Sequence, residues 1–118
     1  MFARMTTIQV KPDQIEAGVK IYKTSVVPEA KKQKGYRGAC LLVDPKSGKC
    51  ISVTFWRTEK DALANEENLY YQEQLVKFLS MLAGPMIREG YEVRVHSMDM
   101  KARPKPKKKL RPKKKAKK

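Results

Sequence analysis

One histidine and two cysteines are all that the 118 residues offer of the side chains that most often ligate metals. A His-rich metal site, and any triad needing a second His, are excluded. Two cysteines make neither a disulfide framework nor a four-cysteine zinc site. No apolar run approaches the ~20 residues of a membrane-spanning helix. Met1–Thr6 lacks the charged-then-apolar opening of a signal segment, so the expectation is a soluble, cytoplasmic protein. A Gly-rich phosphate loop of the P-loop or dinucleotide type is also missing, which removes the sequence support for nucleotide or flavin binding. The expectation is therefore no cofactor and no metal.

Acidic residues are missing from one place in particular. Residues 101–118 hold 12 Lys and Arg and no acid, out of 27 basic and 12 acidic residues in the whole chain. The net charge of +15 thus divides into +3 for residues 1–100 and +12 for the last 18. The chain reads as a nearly neutral domain over residues 1–98 and a disordered Lys/Pro-rich tail over 99–118. That tail has almost no apolar content to bury and is interrupted by proline.

Within the domain, Phe2–Lys11 reads as a strand stopped by Pro12. Asp13 with Glu16 fits a capping box opening a helix. Ile15, Val19, Tyr22, Val26 and Ala30 then recur with helical period. Pro28 predicts a kink or break near its end, and Gly35 a C-terminal cap. Tyr36–Asp44 and Lys49–Trp56 read as a hairpin around Pro45-Lys46-Ser47-Gly48, with Ile51, Val53 and Phe55 alternating against Ser52, Thr54 and Trp56. A turn centred there sets Cys40 opposite Val53 and Cys50 opposite Val43, on opposite sheet faces. That geometry disfavours a disulfide between them, and a register slipped by one restores the face but leaves them several residues apart along the strands. Thr58 caps a second helical region in two pieces, about 59–66 and 69–83, whose later apolar positions are Leu69, Leu75, Phe78, Leu79 and Leu82. Gly84-Pro85 ends it, and Glu89–Ser97 is the last strand, with Tyr91, Val93 and Val95 on one face.

The order β-α-β-β-α-β predicts an α+β, ferredoxin-like fold: a four-stranded antiparallel sheet with helices on one face. The middle strands are apolar on both sides, so the uncovered face predicts a homodimer formed sheet to sheet.

Val53-Thr54-Phe55-Trp56-Arg57-Thr58-Glu59-Lys60-Asp61-Ala62-Leu63 resembles the strand-to-helix signature of the antibiotic biosynthesis monooxygenase (ABM) domain family. Val10-Lys11-Pro12, Gly35-Tyr36-Arg37-Gly38 and Gly84-Pro85 agree with it in order and position. The resemblance covers residues 1–98. It implies a dimeric α+β barrel with a pocket between sheet and helices in each subunit, and cofactor-independent oxidation of a small aromatic or phenolic substrate by O₂. On this reading Trp56, Asn65 and Tyr70 are candidate catalytic residues, and Tyr71 and Arg94 candidate substrate-binding residues. Trp56 offers an indole N–H and a stacking surface. Asn65 stands nine residues later, where family members often carry a polar residue, and both donates and accepts. Of Tyr70 and Tyr71, ~100° apart on a helix, one should face inward and one outward. Arg94, sharing a strand face with His96, suits an enolate. Haem-degrading members resemble an Asn on the first strand, a Trp on the third and a His on the second main helix. Here only Trp56 matches, Thr6 stands near the Asn position, and residues 69–83 hold no His.

The alternative function is a non-enzymatic dimer tethered to nucleic acid, or another polyanion, by its tail. Lys105, Lys107, Lys108, Lys109, Arg111, Lys113, Lys114 and Lys115 would meet phosphates without reading sequence. Extended at ~3.1 Å per residue, the last 18 residues reach ~55 Å. They carry no aromatic side chain, so base stacking is not offered.

Overall fold

The computed structural model of the chain describes residues 1–98. The elements run β1 (Phe2–Gln9), a 3₁₀ turn (Pro12–Gln14), α1 (Ile15–Ile21), a π turn (Tyr22–Val26), α2 (Val27–Lys31), β2 (Tyr36–Val43), β3 (Lys49–Trp56), α3 (Glu59–Glu67), α4 (Tyr70–Val76), a 3₁₀ turn (Leu79–Met81) and β4 (Ile87–Glu92). The four strands form one antiparallel sheet in the order β2-β3-β1-β4. This is the expected ferredoxin-like arrangement. No described helix is long and apolar enough to cross a membrane.

The hairpin follows its turn chemistry. Asp44 accepts from the Lys46 amide (3.0 Å) and from the Ser47 hydroxyl (2.9 Å), and Gly48 takes the positive φ of 82° that closes the turn. Cys40 faces Val53 and Val43 faces Cys50, the pairing expected from the turn. Both thiols are free; Cys50 is buried and Cys40 half-buried. An irregularity between Tyr36 and Gly38 brings Tyr36 opposite Trp56.

The first helical region departs from its expected cap. Pro12 starts a 3₁₀ turn in which the Gln14 amide donates to the Lys11 carbonyl at 2.7 Å, and no side chain caps it. Asp13 therefore lies inside the turn, and the Asp13/Glu16 capping box does not form. Pro28 neither breaks nor ends the helix. The chain widens into the π turn just before it, with the Val27 amide reaching back to the Tyr22 carbonyl. A wider turn accommodates a ring that has no N–H and would crowd the carbonyl four residues back. Tyr22, Val26 and Ala30 are buried as the period predicts. Gly35 then turns the chain with φ 83°, and a Cβ there would sit 2.2 Å from Asp61 Oδ2. Only glycine meets both conditions.

Thr58 caps α3, its hydroxyl accepting from the Asp61 amide at 3.0 Å. Asn68 and Leu69 separate α3 from α4, with Leu69 left-handed at φ 70° and the Asn68 carboxamide oxygen accepting from the Tyr70 amide at 3.0 Å. The buried stripe beyond it is Tyr70, Gln74, Phe78 and Met81; Leu69 and Leu79, expected within the apolar pattern, are exposed. The left-handed residue resets the helix phase, which the apolar spacing alone did not reveal. β4 begins at Ile87 and ends at Glu92, short of the expected Ser97. Its pairing with β1 runs to Phe2 opposite Glu92, and the Val93 amide adds one more bond, to the Met1 carbonyl at 2.9 Å.

All the helices lie on one face of the sheet. Ile8, Val10 and Cys50 from the sheet side meet Tyr22, Val26, Phe78 and Met81 in the core. The opposite face presents Met5, Ile51, Val53 and Phe55 together with the exposed Leu42, Ile87 and Tyr91.

Candidate functional site

Strand alternation puts Arg4, Thr6 and Ile8 of β1 on the same face as Ser52 and Thr54 of β3 and Leu41 of β2. The π turn and α4 lie over this face. Between the two layers is a cavity of about 60 Å³, walled by those residues and by Tyr22, Val26, Tyr70, Tyr71, Gln74, Leu75 and Phe78. An engineered cavity that takes benzene is nearer ~150 Å³, so an aromatic ring enters only if the helical wall shifts.

Arg4 is the one charged residue in that wall. Its side chain is 5% exposed and its Nη1 donates to the Ala62 carbonyl and to Glu66 Oε2, each at 3.2 Å. Its guanidinium carbon lies 4.3 Å from the Tyr71 ring centroid and 5.5 Å from that of Trp56. Burial lowers its pKa, opposed by Tyr71 and Glu66, yet an arginine stays charged at any ordinary pH. Glu66 also pairs with Arg88, whose guanidinium stands 5.7 Å from the same Tyr71 ring. Two cations thus share one carboxylate around one phenol.

The phenols are tied down individually. Tyr71 Oη and Thr6 Oγ1 share a hydrogen bond of 3.0 Å. Tyr70 Oη donates to the Val26 carbonyl at 3.2 Å, and burial pushes its pKa up, with Arg4 opposing. Ser52 Oγ donates to Tyr22 Oη, which donates to the Cys40 carbonyl at 3.1 Å. Burial raises the Tyr22 phenol to about 12, against the Ser52 hydrogen bond.

The structure brings Tyr70 and Tyr71 together in the wall, where one of the two was expected to face away. The cavity spans more of the helix circumference than the 100° between them. Trp56 is fully buried beside the wall rather than in it. Its Nε1 donates to Thr54 Oγ1 at 2.9 Å and its ring meets Tyr36 edge-on at 6.1 Å. Asn65 is equally buried outside the lining; its Nδ2 donates to the Asp61 carbonyl at 3.3 Å, and its Oδ1 has no partner among the described residues. Arg94 is solvent-exposed, 3.7 Å from Glu92 and remote from the cavity. It follows the end of β4, so no ladder aims it inward. His96 borders a separate groove with Arg37, Cys40, Phe55, Arg57 and Met98. Sequence reasoning missed Arg4, Thr6, Tyr22 and Gln74. The signal available for Arg4 and Thr6 was their alternation with Ile8 on β1. The tail lysines and arginines expected to meet nucleic acid lie outside the described residues.

The sheet with its helices on one face and a cavity between them defines an α+β domain of the ferredoxin-like kind. The chain belongs to the antibiotic biosynthesis monooxygenase family, whose model matches residues 1–73. Two Mycobacterium tuberculosis proteins described as uncharacterized, Rv2557 and Rv2558, are 35% and 33% identical to it over 69 residues, 58% of this chain. The chain spans about a third of their length, 31% and 29%. Among solved structures, a monooxygenase from the gene ActVA-Orf6 of Streptomyces coelicolor, in complex with Nanaomycin D, is similar in fold. Its TM-score is 0.67 at 18% identity, over 83% of this chain and 91% of that one. Rv0793 from Mycobacterium tuberculosis has a TM-score of 0.65 at 13% identity, over 82% and 98%.

Proposed function

We propose that the domain is a cofactor-independent monooxygenase that oxidises a small phenolic or enolic aromatic compound with O₂. The observation that carries this reading is the cavity wall itself: Arg4, Thr6, Tyr70 and Tyr71 face a space otherwise bounded by Ile8, Val26, Leu41, Leu75 and Phe78. A few fixed polar groups in an apolar surround suit an aromatic ring with an oxygen substituent. The family membership and the monooxygenase among the similar folds support the reaction class.

In the proposed reaction the substrate reacts as its phenolate or enolate. The anion gives an electron to O₂, the two radicals join in a C–O bond, and the peroxide then loses water to leave a carbonyl. A CH₂ carbon loses four electrons and O₂ gains four; one oxygen enters the product and the other leaves as water. Tyr70 and Tyr71 contact the substrate. Trp56 acts through Thr54 and Arg4, which it holds in place, and Asn65 braces α3 through the Asp61 carbonyl. Oxygen uptake with a panel of anthrones and naphthols, using isotopically labelled O₂, tests this. One labelled oxygen atom per product molecule is expected. Uptake no faster than buffer autoxidation across the panel would refute it.

The unit is proposed to be a homodimer, because the face of Met5, Val53, Phe55, Leu42 and Ile87 has no covering element among the described residues. A second reading rests on the charge of residues 101–118, which suits non-specific binding to nucleic acid and is compatible with the first.

A further inference from the structure

We infer that Arg4 makes the cavity selective for an aromatic oxyanion, binding the ionised oxygen through its Nε and Nη2 edge. This rests on the proposed function for the identity of the site and adds the residue that selects and holds the anionic oxygen.

Three observations converge. Arg4 Nη1 is fully used by the Ala62 carbonyl and Glu66, whereas Nε and Nη2 make no hydrogen bond to the described residues. Neither of those two nitrogens is sealed in the protein; the buried side-chain polar atom left without a partner is Asn65 Oδ1. They belong to a residue that walls the cavity, and they are the N–H groups Arg4 has left to offer a ligand there. A guanidinium edge with parallel N–H groups matches an anionic oxygen better than a neutral one.

The charge balance points the same way. Arg4 and Arg88 share the single carboxylate of Glu66; Arg88 is half exposed to water, whereas the buried Arg4 has only that shared carboxylate opposite it, and no acidic residue lines the cavity. Charge in a poorly solvated place is costly unless it is paired. Tyr71 spreads some of it through its ring face, but a ring is a weaker partner than an anion. A phenolate or enolate completes the pairing, its negative oxygen held at one end of the apolar space and its ring admitted by the shift of the helical wall that the cavity's size requires.

The test uses the full chain, without oxygen, and 4-nitrophenol, whose anion is yellow and which ionises near neutral pH. The neutral isostere 4-nitroanisole is the comparison. Binding is followed by the anion's absorbance across pH and by calorimetry. Wild type should bind the phenolate ~10–100-fold more tightly than nitroanisole, the range of a charge-assisted hydrogen bond, and should lower the ligand's apparent pKa by at least one unit. Arg4→Met should abolish that preference and the pKa shift, with Arg4→Lys intermediate. The tail carries the same charge in every variant, so differences report the cavity. Because Arg4→Met disturbs a buried ion pair, Glu66→Gln supplies the opposite sign. Removing the shared carboxylate should tighten phenolate binding several-fold and leave nitroanisole unchanged. Equal binding of the two ligands by wild type, binding of neither, or a Glu66→Gln variant that binds phenolate no better would overturn the inference. Anion-selective binding without oxygen uptake by any substrate would instead refute the proposed reaction and leave this inference standing.

Discussion

The Arg4 guanidinium carbon lies over the Tyr71 ring, 4.3 Å from its centroid, while the Tyr71 hydroxyl meets Thr6 two residues further along the same strand as Arg4. One phenol therefore closes the cavity by gripping β1 at two points. Removing either grip should loosen α4. Tyr71→Phe should cost about 1 kcal/mol through the lost hydrogen bond, and Tyr71→Ala about 2–4 kcal/mol as the stacking and packing go too. In urea melts, Thr6→Val and Tyr71→Phe should show a coupling of about 0.5–1 kcal/mol in a double-mutant cycle. Strict additivity would show that the bond contributes nothing.

Leu69 is exposed and left-handed, a conformation that costs an L-residue about 1 kcal/mol or more. Leu69→Gly is expected to raise stability by about 0.5–1 kcal/mol, and Leu69→Val to lower it. A melting temperature that falls with glycine would mean that the Leu69 side chain packs in a way its exposure does not suggest.

The Tyr22 phenol sets an alkaline limit. Its folded pKa of about 12 lies above the ordinary 10.0, so the unfolded chain loses that proton first. The associated stability is complete below pH 10 and drains away as pH rises to about 12, at roughly 1.4 kcal/mol per pH unit. Urea midpoints measured between pH 9 and about 12 should fall less steeply for Tyr22→Phe than for wild type. Parallel curves would show that Tyr22 is not the group responsible.

The outer sheet face predicts association. Sedimentation should give a dimer at micromolar concentration, and Val53→Glu, which places a charge near the middle of that face opposite Met5, should give a folded monomer. A wild-type monomer would dismiss both the dimer and the closed barrel.

For the basic tail, fluorescence anisotropy with duplex DNA should show salt-dependent binding by the full chain. If ~6 cations meet phosphates, log K should fall against log salt with a slope of about −5. A chain ending at residue 100, with a net charge of +3, should bind far more weakly. Equal affinity of the two, or a flat salt dependence, would reassign the tail to solubility.

Local chemistry alone was enough for the elements and their order. Pro45 to Gly48 dictates the turn and through it the register of Cys40 against Val53; Thr58 marks a helix start; the period from Tyr22 to Ala30 marks a buried face. Each depends on residues within a few positions of one another. The same is true of the family signature around Trp56. The site was not legible in this way, because its members converge from far apart: Arg4 meets Ala62 and Glu66, and Thr6 meets Tyr71. Alternation along β3 distinguishes two faces but not which one the helices cover, and it is the more polar face, with Ser52 and Thr54, that they cover. An arginine in a strand reads as solvated until burial and a shared carboxylate show otherwise. Trp56 and Asn65 suited a pocket by residue type, yet the packing of α3 on β1 and β3 consigned both to the interior beside it. The location of charge, and which side of the sheet became the cavity, were decided by long-range packing, which spacing along the chain does not encode.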